Sequence, residues 1–244
     1  MNQVSLSSEN FDALMRTLAL LKDVCSDVDI RDGIVRQRSN DHSIIFEIDL
    51  STLLPNMNIA VSDLKQKLDL FKCFSGQEID VKVDDDEFSF SDQHSSITFK
   101  SPILDMLDNK FMSDDEFNRL FTLSQEDIIL NYDISKIITD RIRTISQGFS
   151  VNAIQIVFEN DTAFISARTQ SKDQFAKFVS GIRTDRELNC SSNLVVTPFI
   201  IDHDGDIKFV MYNVNDNLAI DEFSTSIGDC GIKVYGRSLL VEEE

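Results

Sequence analysis

The chain has 244 residues, which is enough for one large hydrophobic core or for two smaller ones. Apolar residues make up 42% of it and no apolar run approaches the length of a membrane span, so neither a disordered chain nor a membrane-spanning one is expected. Asp and Glu outnumber Lys and Arg by 42 to 23, and the resulting charge of −19 argues against nucleic-acid binding unless the cations gather on one surface.

The first half of the sequence predicts short strands and two helices. Asp32 and Gly33 form a tight turn between two of the strands. Ser7 or Ser8 caps the first helix, and Gly76 ends the second. In chain order the elements are a strand at 3–6, a helix at 8–24, strands at 28–30, 34–39, 44–50 and 57–61, a helix at 63–74, and strands at 78–83, 87–90 and 96–100.

The second half predicts the same order of elements at a spacing of about 125 residues. These elements are a strand at 127–132, a helix at 134–146, strands at 151–158, 163–168, 175–182 and 194–197, a short helical turn at 198–202, and strands at 207–214, 217–223 and 231–240. The repeat predicts an α+β fold with two similar domains, residues 1–102 and 123–244, joined by a connector at 103–122.

The connector is acidic, but it also carries four large apolar side chains. These are Phe111, Met112, Phe117 and Phe121. A freely moving linker has no use for such side chains, so we expect an ordered connector that lies on a surface of the protein.

Each predicted helix combines an apolar stripe with basic residues outside it. The stripes consist of Phe11, Leu14, Met15, Leu18, Leu21 and Val24, then Leu64, Leu68, Phe71 and Phe74, and in the second half Ile134, Ile137, Ile138, Ile142 and Ile145. The basic residues are Arg16, Lys22, Lys65, Lys67, Lys72, Lys136, Arg141 and Arg143. Such faces suit contact with DNA phosphates without base reading, although ordinary exposed helix faces have the same composition.

Two stretches together resemble the DNA sliding clamps, both those of tailed phages and proliferating cell nuclear antigen. They are FDALMRTLALLKDVCSDVDIRDGIVRQRSNDHSIIFEIDL at 11–50 and the region 134–182, which begins ISKIITDRIRTISQGFSVNAIQIVFENDTAFISA. The resemblance implies helices that line a ring, with antiparallel sheets outside. It also implies a homotrimer that encircles duplex DNA without sequence preference, tethers a replicative DNA polymerase and is placed on DNA by a clamp loader.

The resemblance further implies an apolar pocket beneath the connector that binds short peptides of client proteins. Its candidate walls are Phe111, Met112 and Phe117 of the connector, Ile44 at the end of the turn 40–44, and the C-terminal Leu239 and Leu240. One departure from the family concerns the short turn at 198–202, which runs into Asp202, His203 and Asp204 and offers no Lys. We therefore expect that part of the ring to contribute little to DNA contact.

The sequence predicts no catalytic, metal or cofactor site, and hence no enzyme. The acidic run 202–206 lacks the Gly and Glu spacing of a calcium loop, and no nucleotide-binding or nucleophile motif occurs. Cys25, Cys73, Cys190 and Cys230 are scattered, which favours reduced thiols and a cytoplasmic protein, in the host cytoplasm if the chain comes from a phage. The N-terminus has no signal-peptide pattern.

Two other functions remain compatible with an acidic, two-domain, strand-rich chain. One is a structural or assembly protein of a phage particle. The other is an acidic mimic of DNA that inhibits a basic enzyme. The phage structural protein predicts no response to reversal of the helix charges. The DNA mimic would bind a basic enzyme and never encircle DNA.

Overall fold

The computed structural model describes residues 2–84, 87–121, 123–149, 154–159, 162–168, 175–183, 191–194, 203–215 and 218–239. The chain forms two compact units, Met1–Phe121 with Ser226–Lys233 and Thr122–Thr225 with Val234–Glu244. The connector up to Phe121 thus belongs to the first unit. Within the described ranges, none of the helices has the length and apolar character needed to cross a membrane.

The first unit follows the predicted order of strands and helices. Its elements are β1 (Asn2–Leu6), α1 (Ser8–Leu21), β2 (Val28–Arg31), β3 (Ile34–Arg38), β4 (Ile45–Asp49), β5 (Ile59–Val61), α2 (Leu64–Phe71), β6 (Ile79–Val83), β7 (Glu87–Ser91), β8 (Ser96–Lys100) and, in the connector, α3 (Asp114–Leu120). A 3-10 turn at Lys72–Phe74 continues α2, and another at Leu104–Met106 opens the connector.

Local sequence accounts for the ends of these elements. The Ser7 side chain accepts a hydrogen bond from the backbone N–H of Asn10 at 3.2 Å and so caps α1 as predicted. Asp32 and Gly33 both adopt positive φ, at 50° and 78°, in the tight turn between β2 and β3. A side chain at Gly33 would also approach the carbonyl oxygen of Leu54 to 2.7 Å, so only glycine fits there.

Two antiparallel sheets enclose the core of the first unit, with strand orders β1-β6-β7-β8 and β5-β2-β3-β4. Phenylalanines from α2 and the first sheet form an aromatic cluster in this core. The Phe71 ring lies 4.4 Å from that of Phe90 and 5.5 Å from that of Phe99, and Phe88 stacks on Phe99 at 5.3 Å. The apolar stripe predicted for α2 is confirmed, since Leu64, Leu68, Phe71 and Phe74 are all buried.

The second unit repeats this arrangement in the part that the structure describes. Its elements are β9 (Ile128–Ile134), α4 (Lys136–Phe149), β10 (Ile154–Glu159), β11 (Thr162–Arg168), β12 (Phe175–Arg183), β13 (Ser191–Leu194), β14 (Ile207–Asn215), β15 (Leu218–Ile227) and β16 (Cys230–Leu239). The strand orders are β12-β11-β10-β13 and β9-β14-β15-β16. The α+β class with antiparallel sheets is therefore confirmed, while the helical turn predicted at 198–202 lies outside the described residues.

The structure corrects three predictions about helices. The helix predicted from residue 134 begins at Lys136, and Ile134 ends the strand β9. The first helix ends at Leu21 and not at residue 24. A tighter turn follows, in which the Leu21 carbonyl accepts from the N–H of Val24 at 3.0 Å as well as from that of Cys25 at 2.7 Å.

In α4 the Ile137 side chain, predicted to face inward, is 66% exposed. The buried positions on this helix include Thr139 and Ile142, and at about 100° per residue Ile137 falls on the opposite side from Thr139.

Candidate functional site

Three of the predicted basic residues surround one exposed carboxylate in the first unit. The Lys72 ammonium lies 2.6 Å from a carboxylate oxygen of Asp69. The hydrogen bond and charge of Lys72 hold the pKa of Asp69 below its ordinary value, and Lys65 and Lys22 lower it further. Lys22 and Lys65 also line a shared groove of about 510 Å³ between the end of α1 and the start of α2. The structure thus brings Lys22, Lys65 and Lys72 together around Asp69, and we call these three residues the cationic face. Asp23 and Asp63 also line the groove, so its lysines do not leave it with a net positive charge.

Lys67 has a structural role. Its ammonium donates to the backbone carbonyl of Ser62 and to the Ser62 hydroxyl at 3.3 Å, and it lies 5.6 Å from the centre of the Phe99 ring. Lys67 follows Lys65 by two positions, which is about 200° around a helix, so the two side chains leave α2 in different directions. The remaining predicted cation of this unit, Arg16, is half-buried on α1.

Two basic residues of α4 form contacts within the second unit, and one is exposed. Lys136 donates to the backbone carbonyl of His203 at 2.8 Å and lies 3.7 Å from the Asp140 carboxylate. Arg143 pairs with the same carboxylate at 3.1 Å. Arg141 is exposed. Because Asp140 serves two cations, this helix presents less positive charge than its sequence suggests.

The acidic turn before β14 supports α4. A carboxylate oxygen of Asp206 accepts a hydrogen bond from the backbone N–H of Lys136 at 2.8 Å, at the start of the helix. His203 is buried, with its Nδ1 against the Gly205 carbonyl. Burial lowers the pKa of His203, and the charges of Lys136 and Arg143 lower it further. In the described part of the chain, no group of His, Cys, Asp or Glu side chains is arranged to hold a metal ion.

A set of buried polar groups, which we call the connector clasp, fixes the middle of the connector at residues 108–112. The Asn109 side chain accepts from the N–H groups of Ser26 and Asp27 at 3.0 and 3.2 Å, and donates to the Arg38 carbonyl at 2.8 Å. It is 4% exposed, and these three hydrogen bonds join it to two separate segments of the first unit. The N–H of Ser26 also donates to the Asn40 side chain at 3.2 Å, and the Arg38 carbonyl also accepts from the Cys25 thiol at 3.7 Å. The sequence offered no signal for this role, because an asparagine in an acidic connector also fits a solvent-exposed turn.

Two buried aspartates of the first unit complete the connector clasp. The Asp27 carboxylate accepts from the N–H of Asp108 at 2.7 Å, and that of Asp29 accepts from the N–H of Phe111 at 3.3 Å. The N–H of Met112 bonds to the carbonyl of Arg36 in β3 at 2.6 Å. The connector backbone is therefore bound at successive positions, and residues 108–112 have a fixed path on the first unit.

The helix α3 is fixed by its cap and by an arginine beneath it. Ser113 and Glu116 form a reciprocal capping box, in which the Glu116 carboxylate accepts from the Ser113 N–H at 2.9 Å. Arg36 of β3 forms an ion pair with Asp114, and its guanidinium carbon lies 5.0 Å from the centre of the Phe117 ring. Phe117 also contacts Phe121, with ring centres 5.1 Å apart.

A groove of about 490 Å³ lies between α3 and the end of β3, and we call it the connector groove. It is lined by Arg38, His42, Asp108, Asn109, Lys110, Phe111, Met112, Glu116, Arg119 and Leu120. Two residues of the predicted pocket, Phe111 and Met112, belong to it. Phe117 lies over Arg36 instead, and Ile44 is buried in the first unit. The Leu239 side chain and Leu240 lie outside the described residues.

Sequence reasoning missed the charged residues of the connector groove. Arg38 is the last residue of β3 and His42 lies within the turn between β3 and β4, while Lys110 and Arg119 come from the connector. The connector was interpreted through its acidic and aromatic residues, so its two cations received no weight. Their alternation with Phe111, Met112 and Leu120 was the available signal for a groove with an apolar floor and a basic rim.

The whole chain is similar in structure to solved sliding clamps. Proliferating cell nuclear antigen from Entamoeba histolytica matches with a TM-score of 0.65 and 13% identity over 97% of this chain and 98% of that one. A chain of the PCNA2–PCNA3 complex from Sulfolobus tokodaii gives 0.64 and 12% over 99% and 100%. The A. fulgidus PCNA bound to the C-terminal region of FEN-1 gives 0.67 and 11% over 100% of both chains.

At the level of sequence, no family model matches this chain. No curated protein matches it either. The structural likeness thus stands without recognisable sequence identity, and it concerns how the strands and helices are arranged. Because it covers both units from end to end, it shows that this chain has the fold of the sliding clamps of the proliferating cell nuclear antigen type.

Proposed function

We propose that this chain is a DNA sliding clamp, a non-enzymatic processivity factor. It forms a ring-shaped homotrimer around duplex DNA and tethers a replicative DNA polymerase. The observation that carries the proposal is the clamp fold over the full length of the chain, with TM-scores of 0.64 to 0.67. The phage-type subfamily, the host cytoplasm as location and placement on DNA by a clamp loader are parts of the same proposal.

The cationic face of Lys22, Lys65 and Lys72 supports the contact with DNA. In a chain with a charge of −19, these three cations lie around Asp69 on neighbouring helices. Phosphate contacts of this kind are independent of base sequence and weaken with added salt, as a sliding protein requires. The exposed Arg141 is the corresponding cation of α4. Arg16 on α1 and Arg143 on α4 are half-buried, each within its own unit. Lys67 and Lys136, which bind backbone carbonyls, contribute charge but are not primary contacts.

Two sheet edges support the assembly into a ring. Six of the described strands have one hydrogen-bonded neighbour and leave an edge at which another strand can pair, namely β1, β5, β8, β9, β12 and β13. We assign β8 and β12 to the contact between copies. One edge belongs to the first unit and the other to the second. In the proposed ring, β8 of one copy pairs with β12 of the next, and repetition of this head-to-tail contact closes the ring.

The connector groove, with Phe111 and Met112, supports the binding of client peptides. The A. fulgidus protein named above was solved with the C-terminal region of FEN-1 bound, and by analogy a short client segment binds here. Phe117, Ile44, Leu239 and Leu240 remain proposed parts of the pocket. Since the connector clasp fixes residues 108–112, one side of this pocket is ordered before a client arrives.

The mass of the protein in solution and electron micrographs test the ring. We expect a trimer at micromolar concentration and ring-shaped particles. A protein that stays strictly monomeric, with no rings in the micrographs, would contradict the proposal.

A matched pair of charge-reversal variants tests DNA contact. Lys22→Glu with Lys65→Glu should leave the trimer intact and reduce retention on nicked circular DNA after loading. The control is Lys208→Glu with Lys233→Glu, which changes the net charge equally at exposed positions outside the cationic face. Equal retention by both variants would contradict the assignment of this face. Linearising the DNA should release the wild-type ring, which distinguishes a clamp from a protein that binds DNA by affinity alone.

A further inference from the structure

We infer that the connector groove binds a client segment that carries an Asp or Glu side chain next to apolar ones, and that Arg38 and Arg119 hold its carboxylate. The inference rests on the proposed function, in which client segments enter this groove. It adds the chemical class of the client, which neither the clamp fold nor the apolar residues of the groove determine.

The groove combines an apolar floor with a basic rim. Met112 is buried, and Phe111 and Leu120 are half-buried, so the floor accepts apolar side chains. The exposed cationic or titratable residues of the rim are Arg38, His42, Lys110 and Arg119. Acidic residues are nearly twice as common as basic ones in this chain, whereas three basic residues and two acidic ones line this groove.

The two arginines of the rim differ from a neighbouring arginine in their pairing. Arg36 is held by Glu47 at 2.8 Å and by Asp114. Within the described ranges, neither Arg38 nor Arg119 lies within ion-pair distance of a carboxylate, and the Arg119 Nε donates to the backbone carbonyl of Asp115 at 3.2 Å, which leaves its terminal nitrogens for a ligand. A guanidinium group presents a planar fork of donors that matches a carboxylate, so an arginine without an internal carboxylate on a groove wall is suited to one supplied by a ligand.

The acidic residues of the same groove favour a peptide over a nucleic acid. Asp108 and Glu116 also line it. The hydrogen bonds from Ser113 lower the pKa of Glu116, and the charges of Arg119 and Arg38 lower it further, so this carboxylate stays ionised at neutral pH. A continuous polyanion would meet these fixed negative charges, whereas a single carboxylate can pair with the arginines while its apolar neighbours cover the floor.

Selection from a displayed library of random short peptides tests the inference. The library is selected against the wild-type protein, against Arg38→Glu with Arg119→Glu, and against the control Lys22→Glu with Lys65→Glu, which makes the same change of charge at exposed residues outside the groove. We expect Asp and Glu to be enriched with the wild type and the control, and Lys and Arg to be enriched with the arginine variant. Replacing the acidic residue of a selected peptide by its amide should weaken binding to the wild type about tenfold, as for loss of a charge-assisted hydrogen bond.

The expected preference of the Arg38→Glu, Arg119→Glu variant for basic peptides is a new binding activity, and a misfolded variant does not produce one. If the charge-reversed protein does not fold, Arg38→Gln with Arg119→Gln should lose the preference for acidic peptides. Wild-type selections without excess Asp and Glu, or the same preference in the arginine variants, would overturn the inference. So would displacement of the peptides by a short oligonucleotide whose binding requires the same arginines.

The masses of the same samples separate this inference from the proposed function. A trimer whose selected peptides show no acidic preference overturns the inference and leaves the clamp standing. A monomer that selects acidic peptides through Arg38 and Arg119 overturns the clamp and leaves the groove assignment standing.

Discussion

The side-chain oxygen of Asn109 accepts a hydrogen bond from the backbone N–H of Asp27 at 3.2 Å, across 82 positions of the chain. Truncation to alanine removes three hydrogen bonds and leaves this buried N–H without its side-chain acceptor, whereas the N–H of Ser26 keeps the Asn40 side chain and the Arg38 carbonyl keeps the Cys25 thiol. We expect Asn109→Ala to lower the free energy of unfolding of the first unit by about 2–3 kcal/mol. Urea unfolding measures this. Gln66→Ala, at an exposed position of α2, is the control and should stay within about 0.5 kcal/mol of wild type.

The aromatic cluster gives a prediction with a neighbouring control. Phe71 is buried between Phe90 and Phe99, so Phe71→Ala leaves a cavity and should cost about 3–5 kcal/mol of stability. Leu70, the preceding residue on α2, is 46% exposed, and Leu70→Ala should cost far less. Thermal unfolding of the two variants compares them. Equal losses would show that the cluster is not the core of this unit.

The capping box of α3 should loosen in acid. Hydrogen bonds from the backbone and side chain of Ser113 hold the pKa of Glu116 below its ordinary value of 4.5. When the pKa of a carboxyl group is lower in the folded state, its stabilisation is fully present above the pKa of the unfolded state. The stabilisation is lost as the pH falls through the pKa of the folded state. The amide resonance of Ser113, followed by NMR, should therefore shift only below about pH 4.5. In Glu116→Gln this transition should be absent, and a transition that persists would assign it to another group.

Thiol reactivity should distinguish the cysteines. Burial raises the pKa of Cys25 to about 11, so at pH 8 about one thiol in a thousand is ionised there. Cys73 is exposed. In a Cys190→Ser background, iodoacetamide should modify Cys73 first and reach Cys25 and Cys230 only after unfolding, as followed by mass spectrometry. Early modification of Cys25 would show that the end of α1 opens in the native state.

The spacing of apolar residues predicted the repeated order of strands and helices, because this spacing reflects which positions face the core. The first unit follows the predicted order throughout, and its bounds differ by a few residues at most. Ile137 was misplaced because the pattern counted only apolar residues. Thr139 is fully buried on α4 although it is polar, and it donates its hydroxyl hydrogen to the Lys136 carbonyl at 2.9 Å. A buried threonine shifts the inward face away from Ile137.

The candidate site was predictable only where charge and helical spacing determine position. Lys65 and Lys72 share a face because seven residues make nearly two helical turns. The clasp of Asn109 and Asp27 was not predictable, since it joins distant segments through polar groups that a sequence pattern assigns to the surface. Arg38 and Arg119 meet at the connector groove for the same reason: the path of the connector, and not local sequence, brings them together.

Because Asn109, Asp27 and Asp29 hold the connector backbone from 108 to 112, a segment that enters the groove meets a surface that is already ordered. It therefore loses less conformational entropy than it would on a loop that must first close. Different clients should then arrive at similar rates and differ mainly in how long they stay, since residence time carries most affinity differences within one interface. The order in which clients succeed one another on the protein would be set by the departure of the one already bound.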